Sequence, residues 1–101
     1  MPFNITHRDG SMEVDPPLNR FAELLEELIY EDEEHLDVAV TGKGEWCLSA
    51  YFNNKVIWEN LESGSPKHME NVPNEKILDL WNKLARGDID AIEKENWQKG
   101  Y

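Results

Sequence analysis

The chain reads as an α+β domain: an antiparallel sheet of about five strands, with two main helices and a short C-terminal helix packed on it. Three observations carry this reading. Short alternating segments are separated by Asp9-Gly10, Gly42-Lys43-Gly44 and Asn53-Asn54, which mark strands joined by tight turns. Two stretches, one after Asp15-Pro16 and one after Pro73, repeat apolar residues at helical spacing. The 101 residues are 40% hydrophobic and 10% aromatic, enough for one core in a single domain spanning 1–101.

The elements follow in order. Phe3, Ile5 and His7 share one face of a first strand, Asp9-Gly10 turns the chain, and Met12 and Val14 alternate on the return strand. Asp15 is placed to cap a helix over about 17–30, with Pro16 at its first position. Leu18, Phe21, Ala22, Leu24, Leu25, Leu28 and Ile29 fall within one arc of that helix. Its other arc holds Asn19, Arg20, Glu23, Glu26, Glu27 and Glu31, with Tyr30 as an aromatic exception.

Three strands are expected at 36–41, 45–52 and 55–62. If the loop is the two residues Asn53-Asn54, Leu48 opposes Glu59 and Ser49 opposes Trp58. Trp46, Leu48, Ala50, Phe52, Ile57 and Leu61 then make the core face, and Cys47, Ser49, Tyr51, Val56, Trp58 and Asn60 the outer one. Ser63-Gly64-Ser65-Pro66 reads as a linker and 68–72 as a short edge strand. After Pro73 a helix gathers Ile77, Leu78, Leu80, Trp81, Leu84 and Ala85 and stops at Gly87. Asp88 is placed to cap a last helix over 89–97, with Ile89, Ile92 and Trp97 turned inward.

Charge is distributed unevenly. Of the formal net charge of -11, a net -9 lies between Glu13 and Asp37, where ten carboxylates face Arg20 alone. Such a field repels nucleic acid and anionic membranes and draws basic proteins. The expected partner is therefore a basic protein, with no direct nucleic acid and no membrane. The N-terminus has neither a basic leader nor an apolar run, and no stretch approaches the roughly 20 apolar residues of a span, so a cytoplasmic location is expected. The lone Cys47 admits no internal disulfide and fits a reducing compartment.

Motifs for catalysis are scarce. Ser63-Gly64-Ser65 lacks the flanking glycines and following helix of a nucleophile elbow. His7, His35 and His68 lie in separate segments, Cys47 has no CxxC partner, and the acids from Glu31 to Asp37 lack the glycine and spacing of a calcium loop. No metal, cofactor or enzymatic activity is expected. Glu59 is the one carboxyl that the expected register turns toward an apolar face, the placement a general acid needs.

The acidic segment remains. The run Glu31-Asp32-Glu33-Glu34 opposes the dipole at a helix C-terminus, so it weakens the fold locally and points to another use. The candidate contact set is Glu23, Glu26, Glu27, Tyr30, Glu31, Asp32, Glu33, Glu34 and Asp37, with Trp58, beside Tyr51, as a second patch.

A strand pair and a helix precede a meander that contains the strand Val56-Ile57-Trp58-Glu59-Asn60, and the helix closed by Arg86-Gly87-Asp88 and then Trp97 follow it. In this order of elements the chain resembles the small acidic bacterial immunity proteins of polymorphic toxin systems. The resemblance implies stoichiometric inhibition, in which an acidic surface occludes the basic cleft of a nuclease or deaminase toxin. Two other readings stay open. One is a nucleic-acid mimic that inhibits restriction or CRISPR effectors, its carboxylates standing in for phosphates. The other is a small housekeeping domain whose acidity serves solubility.

Overall fold

Seven strands form one antiparallel sheet in a computed structural model that describes residues 3–7, 10–14, 16, 20–29, 37–51 and 53–100. They are β1 (Asn4–Thr6), β2 (Met12–Val14), β3 (Asp37–Thr41), β4 (Trp46–Tyr51), β5 (Val56–Asn60), β6 (Gly64–Met69) and β7 (Gln98–Lys99), in the spatial order β2-β1-β3-β4-β5-β6-β7. The helices are α1 (Arg20–Glu26), which runs into a 3-10 turn at Glu27–Ile29, α2 (Asn74–Ala85) and α3 (Ile89–Glu93). The class is α+β, as expected, with two strands more than the sequence suggested.

The helices bury their apolar side chains against one face of the sheet. Phe21, Leu24 and Leu28, then Ile77, Leu80, Trp81 and Leu84 of α2, and Ile92 of α3 join Ile5, Val38, Val40, Leu48, Ala50, Val56 and Trp58 in a single core. Phe21 lies between Phe3 and Trp81, at ring-centroid distances of 5.3 and 5.9 Å. The Trp81 indole N–H donates to the Leu48 carbonyl at 3.0 Å, which ties α2 to a central strand. Helix α2 approaches so closely that a Cβ on Gly42 would sit 2.8 Å from Leu84 Cδ1. It ends in a Schellman motif: Gly87 has φ 78°, its N–H donates to Leu84 O, and the Asp88 N–H donates to Lys83 O.

The β4–β5 register differs from the expected one by a single residue. Tyr51 N–H donates to Lys55 O at 2.9 Å, Asn54 N–H donates to Tyr51 O, and Asn54 adopts φ 63°. The loop therefore contains three residues, and the left-handed residue is its last. Leu48 now opposes Trp58, and Cys47 opposes Glu59. A one-residue slip exchanges faces. Val56 and Trp58 enter the core, Ile57 and Glu59 turn to the other side, and Leu61 is 55% exposed beyond the end of β5.

Other differences are local. The supposed linker opens β6 instead: Gly64 and Ser65 take φ 81° and 61° at a register shift, after which Pro66 fits within the strand. Of the 68–72 segment only His68 and Met69 are strand, as the end of β6, and β6 is not an edge because β7 pairs outside it. In the first hairpin Glu13 opposes Ile5, so Met12 and Val14 point away from the helices, 58% and 78% exposed. Ala22 is exposed. Asp88 makes no side-chain cap to α3, which closes at Glu93. The expected cap Asp15, with Leu18 and Asn19, lies outside the described residues.

Candidate partner-binding surface

Helix α1 is anchored by Phe21 and Leu24, which leaves Glu23 and Glu26 on its solvent side. The Glu23 side chain is 63% exposed and pairs with Arg20 Nη1 at 2.6 Å. Arg20 also reaches Glu13, Nη2 to Oε2 at 3.0 Å. Glu27, in the 3-10 turn, lies 2.5 Å from His7 Nδ1, and Glu13 lies 2.5 Å from His7 Nε2. Part of the acidic excess is thus structural, joining the first hairpin to α1 through His7 and Arg20.

The cluster shifts its own titrations. The Glu27 hydrogen bond holds the His7 pKa above its ordinary 6.5, against the effect of burial and with help from Glu13. Arg20, then His7, holds Glu13 below its ordinary value. No isolated residue pattern signals this cluster, because His7, Glu13, Arg20 and Glu27 meet only through the tertiary fold.

Asp37 opens β3 on the sheet face turned away from the helices. Burial raises its carboxyl pKa, partly offset by a hydrogen bond from the Ser49 hydroxyl. Cys47 shares that face. Burial pushes its thiol pKa up, and its Sγ lies 3.9 Å from Ser49 Oγ, so it is an inert thiol at neutral pH. Glu59 also lies on this side, away from the apolar core face to which the expected register turned it.

Trp58 does not lie on the surface. The register places it in the core, fully buried, with its indole N–H donating to Glu93 at 3.2 Å. It is stacked between Trp46, at 4.8 Å and 6° between planes, and Trp97, at 6.3 Å and 17°. Tyr51 stays on the outer face, partly exposed. Of the remaining contact set, Glu23, Glu26 and Glu27 share one unit and Asp37 stands at the start of β3. Tyr30, Glu31, Asp32, Glu33 and Glu34 lie outside the described residues.

The rest of the molecule treats charge differently. Lys83 pairs with Asp79 at 2.9 Å, Lys67 with Glu93 at 3.2 Å and Lys76 with Glu95 at 2.9 Å. Asp79, Glu93 and Glu95 of the C-terminal half are thus each matched locally by a lysine. Among the described residues no helix is long and apolar enough to cross a membrane. No protein-family model, no curated protein and no solved structure matches the chain.

Proposed function

We propose that the protein is an acidic protein–protein inhibitor, of the kind in which an immunity protein binds and occludes a basic, nucleic-acid-acting toxin. One observation carries this: the net -9 held between Glu13 and Asp37, beside a C-terminal half whose acids are largely matched by bases. Exposed Glu23 and Glu26 on a helix anchored to the core offer a rigid part of that field. Carboxylates presented this way raise the encounter rate with a cationic partner and set its orientation.

The test is capture on the tagged chain from nuclease-treated native lysate at low and high salt, followed by assay of the captured protein. A basic nuclease or deaminase retained in near-stoichiometric amount, and inhibited one-to-one, supports the reading. Reversing Glu26, Glu31 and Glu34 to lysine together should then slow association by about tenfold or more at low salt. Glu27 is a poor choice for reversal, since losing its bond to His7 would disturb the fold as well as the surface. Unchanged association of the triple variant would remove this surface from the interface.

A further inference from the structure

The two edges of the sheet differ in character. At one, β7 consists of Gln98 and Lys99, both polar and exposed, the guarded kind of edge that resists pairing with another chain. At the other, β2 carries Met12 and Val14, 58% and 78% exposed.

The register fixes which way the β2 backbone points. His7 N–H donates to Ser11 O at 2.8 Å, and the pairs Thr6–Met12, Ile5–Glu13 and Asn4–Val14 continue that ladder. Bonded and non-bonded pairs alternate in an antiparallel ladder, so Ile5–Glu13 exchanges hydrogen bonds while Thr6–Met12 and Asn4–Val14 do not. The N–H and C=O groups of Met12 and Val14 therefore point outward, along the rim of the sheet. β1 is consistent, since Asn4 and Thr6 are left to pair with Thr41 and Ala39 of β3. Among the described residues no other strand pairs with β2.

Side chains at this edge are divided by face. Met12 and Val14 project from the face without helices, whereas Glu13 projects toward α1, where Arg20 joins it to the 63% exposed Glu23. A strand laid along β2 would meet apolar surface on one side and carboxylates on the other. The segment that carries net -9 begins at Glu13. Pairing β2 with β2 of a second copy would bring two such segments together, which like charge opposes. The same charge favours a cationic strand.

We infer that β2 is a docking edge for an extended segment of a cationic protein, added to the sheet with apolar residues over Met12 and Val14 and basic residues beside Glu13 and Glu23. Main-chain bonds to the rim then hold the segment, and its alternate side chains set the fit. The inference rests on the cationic-partner reading above and specifies how that partner is held. The acidic field governs approach, and the edge governs the bound state.

The experiment uses the full chain and the basic protein captured on it. In the free chain amide exchange should be slow at Glu13, which is bonded to Ile5, and fast at Met12 and Val14; in the complex Met12 and Val14 should slow by about tenfold or more. Val14→Pro removes an outward N–H without touching the β1 ladder, and should speed dissociation by about tenfold with association little changed. If that variant does not fold, Met12→Thr combined with Val14→Thr keeps strand propensity, strips the apolar contact and should speed dissociation by about tenfold as well. A captured basic protein that leaves Met12 and Val14 exchange unchanged, or that leaves the edge variants at the parent rate, overturns the docking edge alone. Capture of no basic protein overturns the cationic-partner reading and this inference together. A free chain that sediments as a dimer, and as a monomer after Val14→Pro, overturns the cationic occupant in favour of a second copy.

Discussion

Asn60 is buried, and its side chain organises the turn after β5: Nδ2 donates to Gly44 O at 2.9 Å, while Oδ1 accepts from Glu62 N and Ser63 N, each at 3.0 Å. Replacing it by alanine strands those backbone groups, and Asn60→Ala should lower stability by about 1–3 kcal/mol in urea unfolding. Asn54 combines φ 63° with bonds from its Nδ2 to Val72 O at 2.7 Å and Asn74 Oδ1 at 2.9 Å, so it both turns the hairpin and holds the entrance to α2. Asn54→Gly keeps the backbone conformation and loses the bonds, whereas Asn54→Ala loses both. The alanine variant should therefore melt lower than the glycine variant, by about 1 kcal/mol or more.

At the level of elements, α2 was legible down to its glycine stop. Its apolar spacing, Pro73 before it and Gly87 after it all agree with the helix formed at Asn74–Ala85. The β4–β5 pairing was not legible, for a definable reason. Asn suits both a two-residue turn and the left-handed end of a three-residue loop. Val56, Ile57 and Trp58 are consecutive apolar residues, so alternation could not choose between registers. β6 was hidden because Ser63-Gly64-Ser65-Pro66 looks like a chain breaker, whereas here the glycine and proline make an irregular strand start. The acids of the candidate surface could be read from sequence, but their pairing with His7 and Arg20 depends on segments distant along the chain. Element packing also sets a sharp test at Gly42, whose missing Cβ admits Leu84 of α2. Gly42→Ala should destabilise by about 1–3 kcal/mol by pushing α2 off the sheet, readable as a lower melting temperature with the fold retained.

For the whole molecule, the relevant quantity is the self-repulsion of a chain with formal net charge -11. Added salt screens that repulsion and also weakens the exposed ion pairs, which contribute little individually. The repulsion should win. The melting temperature at pH 7 should rise between about 10 mM and about 500 mM sodium chloride, as screening shortens from roughly 30 Å to a few ångströms. A fall over that range would mean that the His7 and Arg20 pairs outweigh the global field. Within one cooperative unit the pH response has two sides. His7 withdraws its contribution as pH rises through its raised pKa, and Glu13 withdraws its own as pH falls below 4.5 toward its lowered pKa.

The stacked indoles of Trp46, Trp58 and Trp97 bring together three chromophores from β4, β5 and the segment just before β7. Indoles stacked this closely couple wherever their in-plane transition dipoles are skewed to one another, so the native protein should carry a near-ultraviolet circular dichroism signature that no single tryptophan would produce. Because Trp97 sits two residues before Lys99, the last residue of the sheet, that optical signal reports whether the C-terminal strand has been laid down. It gives an intrinsic, label-free reporter of the docking of that strand.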